Sequence, residues 1–200
     1  MSRLAASFVL GYHGCDADVA RKVVSREEPL RASAKKYDWL GPGIYFWESD
    51  PHRAMEWAVQ AKERKRIKTP AVVGAVIDLG NCLDLLNREN IELVRDAYEL
   101  FVDEQERSKL PIPENRSLAG ESDKILRFLD RAVIQYLHEI FEEGGAEAFD
   151  SVRGLFPEGD ELYPGAGFKD RNHIQIAVCN PKLILGIFYS PDYPPGYAQA

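Results

Sequence analysis

Three short segments, far apart in the chain, carry residue types that can hold a flat, charged ligand. The first has His13 followed by a glycine, the second has Tyr45 within GPGIYF, and the third has Gln175 within HIQIAV. An imidazole forms hydrogen bonds through both ring nitrogens, and a glutamine oxygen accepts from a hydroxyl group. An aromatic ring stacks on a flat cation. Brought into one cleft, the three residues could grip a cationic ring and the sugar attached to it.

The pattern of apolar residues predicts the elements that must position these segments. Short apolar runs predict strands at 6–12, 44–47, 71–79, 151–156, 173–178 and 183–188. Helical spacing and capping residues predict helices from Asp16 to about Ser25, from Pro51 after Ser49 or Asp50, over 88–106, and over 122–143 with Ser122 as its cap. Each of the three segments therefore lies on or directly beside a predicted strand.

The order of the predicted elements favours an α+β fold with a mixed sheet. Strict alternation of strand and helix fails after residue 80, which argues against a doubly wound fold. The sequence predicts a single domain over 1–190 with a helical insertion at about 85–145, followed by a flexible tail over 191–200.

Composition predicts a cytoplasmic protein without a membrane segment. The net charge is -7 and the three cysteines form no C-x-x-C pair, which is typical of a reducing compartment. No apolar run approaches the length of a membrane span or of a secretory signal. A nucleic-acid contact would need a local basic patch, and KERKRIK at 62–68 is a candidate for one. Solvated basic side chains at a helix C-terminus are the favoured explanation of this segment.

The three segments resemble the ADP-ribosyltransferase superfamily of the poly(ADP-ribose) polymerases and diphtheria toxin. That family has a histidine on the first strand, a tyrosine in a G-x-G-[IF]-Y-[FL] context, and a glutamate on a late strand. LGPGIYFWESDPHRAMEWA is similar to the second motif almost residue for residue. The resemblance covers the N-terminal third and the strand pair at 172–188, but not the helical middle. It implies a mixed, largely antiparallel split β-sheet core.

The resemblance also implies a site for NAD, as substrate, with no metal. His13, Tyr45 and Gln175 would be the catalytic residues, with His13 on a ribose hydroxyl. Gly14 would clamp the nicotinamide amide, and Trp57 in the following helix would supply a second aromatic face. The remaining residues assigned to NAD binding are Ser33 and Gly43.

This chain departs from the family at the third position, where Gln175 replaces the glutamate. A glutamine oxygen can accept from the ribose 2′-hydroxyl, but it carries no charge and cannot act as a general base. This favours transfer of a single ADP-ribose. A base could come from Glu48, Glu158 or Glu161, and His173, two residues before Gln175 on the same face, could face the site instead.

The sequence therefore predicts a mono-ADP-ribosyltransferase, a pentosyl-transferring enzyme that releases nicotinamide. Its acceptor is a macromolecule, protein or nucleic acid, and the overall acidity leans toward protein. A bacterial toxin or antiphage effector with a neutralising antitoxin is the role that its small size suggests by analogy. The alternatives are an NAD glycohydrolase and a catalytically inactive module that binds NAD or ADP-ribose.

Overall fold

The computed structural model describes residues 8–118 and 123–196, which fold around one mixed β-sheet. The strands are β1 (Phe8–Asp16), β2 (Ile44–Glu48), β3 (Pro70–Asp78), β4 (Cys82–Asp84), β5 (Ser151–Phe156), β6 (His173–Val178) and β7 (Ile184–Tyr189). The helices are α1 (Ala17–Val24), α2 (Pro51–Glu63), α3 (Arg88–Ser108) and α4 (Phe128–Glu143), and a 3-10 turn (Pro181–Leu183) leads into β7. The predicted α+β class with a mixed sheet is confirmed.

The sheet has the strand order β4-β5-β6-β2-β1-β3-β7, and the pairing between β2 and β1 involves the fewest residues. Nine residue pairs join β1 to β3, whereas Gly11↔Glu48 and Tyr12↔Trp47 are the two pairs that join β1 to β2. The β4–β5 pair is parallel and the other strand pairs are antiparallel. Beyond Tyr12, the last part of β1 and the first part of β2 are therefore not paired through their backbones.

The two faces of the sheet are covered differently. Successive residues of a strand point to opposite faces, and α1 packs with Phe46, Ile176 and their neighbours on one face. On the other face, α2 covers Tyr12 and Trp47, while α3 and α4 cover a cluster that includes Ala177.

The starts of α1 and α2, which were predicted from capping residues, are confirmed. The Asp16 side chain accepts from the backbone N–H of Asp18 at the start of α1. The Asp50 side chain accepts from the backbone N–H of Arg53, and Pro51 occupies the first turn of α2. Short polar side chains at these positions satisfy backbone donors that have no partner within the helix.

The prediction of a helix over 122–143 is wrong at its start. Helix α4 begins at Phe128, and the preceding chain is extended enough for Leu126 to bridge to Arg116. The predicted cap, Ser122, lies outside the described residues. Asn115 instead reaches across from the preceding loop, and its Oδ1 accepts from the backbone N–H groups of Leu129 and Asp130 at 2.9 and 3.3 Å. The helix is thus capped by a residue distant in sequence.

Two further differences concern short or terminal segments. Strand β4 was not predicted, because its three residues are too few to show an alternating pattern. In the tail, Tyr193 contacts His52 of α2 through a hydrogen bond of 2.5 Å, so this part of the predicted flexible tail is packed on the domain. Among the described residues, no helix is long and apolar enough to cross a membrane.

The remote cap gives a stability prediction. Asn115→Ala removes the acceptor for two backbone donors of α4, and we expect the free energy of unfolding to fall by about 1 kcal/mol. Urea denaturation measures this change. Asn172→Ala, in an exposed loop, is the control and should unfold like the wild type. An unchanged midpoint for Asn115→Ala would show that Asn115 does not act as the cap.

Candidate functional site

A cleft of about 670 Å³ opens where β1 and β2 separate. Its lining comes from the ends of β1 and β2, from α2, from the loop that precedes β2, and from the loop that follows β5. The predicted site residues that line it are His13, Gly14, Ser33, Tyr45, Trp57 and Gln175, together with the candidate base Glu158. Gly43, His173, Glu48 and Glu161 are not part of this lining.

His13 bridges the gap between the separated strands. Its Nδ1 lies 2.7 Å from the carbonyl oxygen of Tyr45. Because a carbonyl can only accept, Nδ1 carries the proton, and Nε2 of the neutral ring is left as an acceptor. Burial lowers the pKa of His13 below its ordinary value of 6.5, although the bond to the Tyr45 carbonyl acts in the opposite direction. The imidazole is therefore a neutral group with one acceptor nitrogen to offer.

Tyr45 holds the loop that precedes β2. Its hydroxyl donates to the carbonyl oxygen of Gly41 at 2.8 Å and accepts from the backbone N–H of Leu40 at 3.0 Å. Burial and the nearby carboxylate of Asp38 both raise the pKa of this phenol, so it stays protonated. The phenol hydroxyl is thus already satisfied, and its ring is the part that the cleft can use.

The side chains of His13 and Tyr45 pack against different parts of the core. The His13 ring lies 5.8 Å from the ring of Phe46, which belongs to the core under α1. Tyr45 packs with the cluster under α3 and α4. Both residues nevertheless line the same cleft, because β1 and β2 are no longer paired at this point.

The structure gives Gly14 a packing role that the sequence does not show. A Cβ at this position would lie 2.2 Å from the backbone oxygen of Ala54 and 3.2 Å from the Trp57 ring. The absence of a side chain therefore lets α2 pack directly on β1, which brings Trp57 to the cleft. The assigned clamping of an amide by Gly14 stays a prediction.

Ser33 and Gly43 form a small bridge at the mouth of the cleft. The backbone N–H of each donates to the carbonyl of the other, at 2.8 and 3.0 Å. The Ser33 hydroxyl donates to Asp38 at 2.7 Å, and the same carboxylate oxygen accepts from the backbone N–H of Lys35. Ser33 thus lines the cleft while Gly43 supports the loop beside it.

Strand β6 carries two residues that are joined by a hydrogen bond, His173 and Gln175. The Trp39 indole N–H donates to Oε1 of Gln175 at 2.7 Å, and Nε2 of Gln175 lies 2.9 Å from Nε2 of His173. His173 is buried, and its Nδ1 lies 2.8 Å from the carbonyl of Arg171. Because that carbonyl can only accept, His173 donates from Nδ1 and accepts from Gln175 through Nε2.

This chain of hydrogen bonds has no net charge. Burial is the main cause that lowers the pKa of His173 below 6.5. Gln175 lines the cleft and His173 lies behind it, so the predicted alternative in which His173 faces the site does not match this arrangement. Gln175 keeps one N–H and one lone pair that the protein contacts above do not use.

The candidate carboxylates are all engaged in contacts with the protein. Glu158 lines the cleft and accepts two hydrogen bonds from Nη2 of Arg53, at 2.9 and 2.7 Å. Glu48 pairs with Arg153, away from the cleft lining, at 2.5 and 2.9 Å. Glu161 accepts from the backbone N–H of Gly165 within its own loop. Among the three predicted bases, Glu158 is therefore the one placed at the cleft.

A chain of aromatic rings that the sequence did not predict as a unit lies at the cleft, and we call it the aromatic wall. It consists of Trp57, Trp47, Phe156 and Trp39, which line the cleft, and of His173, which lies behind the lining between Trp47 and Phe156. Successive ring centroids are 6.1, 6.4, 5.4 and 5.2 Å apart. Trp47 could have been predicted, because it lies two residues after Tyr45 and so on the same face of the strand. Trp39 and Phe156 come from a loop and a distant strand, where no spacing rule connects them.

Comparison with known proteins gives one informative match. The chain is 30% identical over 193 residues to the uncharacterized protein MJ0359 of Methanocaldococcus jannaschii, and the match covers 86% of this chain and 83% of that protein. No family model matches the chain. No solved structure matches it significantly.

The contact between Gly14 and α2 predicts a strong effect for a small substitution. Gly14→Ala places a methyl group against the backbone of Ala54, so α2 must shift, and we expect a loss of about 1 to 3 kcal/mol in the free energy of unfolding. Gly167→Ala is the matched control, because a Cβ at that position meets no atom within 4 Å. Urea denaturation of both variants provides the measurement, and equal stabilities would contradict the close packing at Gly14.

The pairing of Gln175 with His173 predicts a change in pKa. Gln175→Glu replaces the donor that faces Nε2 of His173 with a carboxylate oxygen, so this nitrogen must take a proton to form the bond. We expect the pKa of His173, which burial holds below 6.5, to rise by about 1 to 3 pH units.

Nuclear magnetic resonance titration of the histidine rings measures this change. Gln60→Glu adds the same charge at another position in the cleft lining and should leave the titration of His173 nearly unchanged. An identical titration in Gln175→Glu and wild type would show that the two side chains are not bonded as described.

Proposed function

We propose that this chain, which belongs to the same family as the Methanocaldococcus jannaschii protein MJ0359, is an NAD-dependent mono-ADP-ribosyltransferase. The observation that carries the proposal is the meeting of His13, Tyr45, Trp57 and Gln175, from four separate elements, around one cleft. The resemblance to the ADP-ribosyltransferase superfamily rests on His13 and Tyr45. Gln175 stands where that superfamily has a glutamate, and Trp57 stands near the position of its second aromatic residue, usually a tyrosine one residue earlier.

The aromatic residues of the cleft suit the nicotinamide of NAD. Nicotinamide in NAD is a flat cation, which aromatic faces attract through their π electrons. Trp57 lies on α2, and its ring is 6.1 Å from that of Trp47, with a tilt of 49° between the planes. In the proposed complex the nicotinamide ring lies beside Trp57 and Tyr45, which both line the cleft.

His13 suits the ribose hydroxyl that the resemblance assigns to it. Its Nδ1 proton is committed to the Tyr45 carbonyl, so Nε2 can accept from a hydroxyl donor. The low pKa keeps the ring neutral at pH 7, which preserves this acceptor and avoids a second positive charge beside nicotinamide. The bond to Tyr45 also fixes the orientation of the ring before the substrate binds.

Gln175 suits the stabilisation of the ribose as the glycosidic bond breaks. The electron pair of that bond leaves with neutral nicotinamide, and positive charge develops on the ribose. An oriented dipole aimed at developing charge can contribute several kcal/mol, because it needs little reorganisation during the reaction. Trp39 and His173 hold the Gln175 amide in one orientation, which meets this requirement.

A catalytically inactive NAD-binding module is the second candidate, and a specific observation favours it. The position of the family's glutamate is held by a neutral pair, and Glu158 is bound to Arg53. Such a module would be stabilised by NAD without releasing nicotinamide. An NAD glycohydrolase, in contrast, would release nicotinamide and free ADP-ribose.

Nicotinamide release from NAD tests the proposal. We expect release by the wild type and a loss of at least about 10²-fold in kcat/KM for His13→Ala and for Tyr45→Ala, because each removes a group that positions the substrate. His52→Ala and Tyr163→Ala are the matched controls, since both residues are exposed and outside the cleft lining.

Thermal unfolding with and without NAD separates the remaining outcomes. Stabilisation by NAD without release of nicotinamide would favour the inactive module. Neither stabilisation nor release would contradict an NAD site in this cleft, provided that the variants and the wild type are folded.

A further inference from the structure

Two basic segments contribute residues to the lining of the cleft. Residues 31–36 (RASAKK) and 62–68 (KERKRIK) together hold eight basic residues and one acidic residue, in a chain with a net charge of -7. Their side chains form a surface that we call the basic rim, composed of Arg31, Lys35, Lys36, Lys62, Arg64, Lys65, Arg66 and Lys68. Of these, four also line the cleft, namely Arg31, Lys35, Arg64 and Arg66.

The charges of the basic rim are largely uncompensated. Arg64 and Arg66 form no ion pair with a carboxylate among the described residues. Arg31 is 90% exposed and lies 3.9 Å from Glu28, a distance at the limit of an ion pair. Exposed cations without partners keep their charge available to an incoming anion.

Two other carboxylates of the cleft lining are already paired with cations. Glu158 is bound to Arg53, and Asp123 is bound to Lys169. These two carboxylates therefore do not neutralise the four cations of the basic rim that line the cleft. An anionic ligand that extends beyond the cleft can continue from these cations to the exposed lysines of the rim.

The rim is larger than a single dinucleotide requires. One pyrophosphate could be neutralised by the arginines that line the cleft, whereas Lys36, Lys62 and Lys65 are exposed and lie outside its lining. A row of cations that continues from inside a cleft onto the surface fits an extended polyanion.

Aromatic rings accompany the cations and favour nucleic acid over an acidic peptide. Tyr37 and Trp39 line the cleft, and the Lys35 ammonium lies 5.9 Å from the centre of the Tyr37 ring. Proteins that bind single strands combine a basic groove for the backbone with aromatic rings on which bases stack. An acidic peptide offers few flat groups for such rings.

From these features we infer that the acceptor is a single-stranded nucleic acid bound along the basic rim, an inference that rests on the proposed ADP-ribosyl transfer. An oxygen or nitrogen of the strand forms a bond to C1′ of the nicotinamide ribose. The bond from C1′ to the nicotinamide nitrogen breaks, and its electron pair leaves with neutral nicotinamide. Any proton on the attacking atom passes to water.

Binding of a fluorescent single-stranded oligodeoxynucleotide, and of its RNA counterpart, tests the rim without NAD. The rim variant carries Lys62→Gln and Lys65→Gln, and the control carries Lys109→Gln and Lys182→Gln. Each pair holds one lysine in the left-handed backbone region, Lys65 or Lys109, so the pairs match in charge and in backbone. We expect the slope of log affinity against log salt to fall by about one for each rim lysine removed, and to stay unchanged in the control.

Transfer is then followed with NAD labelled in its adenylate part and either oligonucleotide as acceptor. We expect label on the oligonucleotide that nuclease releases and protease does not, with less label for the rim variant than for the control. Label that appears instead on protein from a lysate would overturn the inference, as would equal salt slopes for the rim and control variants. Total nicotinamide release is measured in parallel, with the oligonucleotides and with a lysate. Its absence in every case would contradict the proposed function, while the binding experiment still decides the role of the rim.

Discussion

The early end of pairing between β1 and β2 is the constraint on which the rest of the site depends. A strand pair that ran the full length of β2 would bury the backbone between His13 and Tyr45 in ladder hydrogen bonds. Because these strands pair only at Gly11↔Glu48 and Tyr12↔Trp47 among the described residues, the strand edge beyond them is satisfied differently. There the His13 imidazole donates to the Tyr45 carbonyl. The unpaired backbone N–H and C=O groups of such an edge would cost free energy if they were buried without partners. The same groups can form hydrogen bonds with a polar ligand.

Helix α2 fits this opening for a reason that lies in β1. Gly14 removes the side chain that would collide with Ala54, so the helix lies directly on the strand and carries Trp57 to the cleft. Asp50 and Pro51 begin the helix at the right residue, because one satisfies a backbone donor and the other has none to satisfy. The helix cap and one close contact therefore determine where α2 places Trp57.

Local signals explain which predictions from the sequence were confirmed. The strands around His13, Tyr45 and Gln175 and the starts of α1 and α2 depend on short-range patterns, and these were predicted. The start of α4 was not, because its cap, Asn115, lies in a distant loop and the preceding residues carry apolar side chains at helical spacing. The hydrogen bond from Trp39 to Gln175 joins residues that are 136 positions apart in the sequence. No spacing rule applied to a single sequence could reveal it.

The neutrality of the cleft's inner groups has a chemical consequence under the proposed function. His13 and His173 are kept uncharged by burial, and Gln175 connects to the second of them. When the glycosidic bond of NAD breaks, positive charge moves from nicotinamide to the ribose, so the total charge in the cleft does not change. Fixed dipoles can stabilise the charge in its new position. They avoid the desolvation cost that a buried, unpaired carboxylate would carry. Under the proposed function, Nε2 of His13 accepts from a ribose hydroxyl and Glu158 is bound to Arg53. Neither group is then free to take a proton from the acceptor, so the proposed site suits an acceptor atom that attacks without first being deprotonated by them.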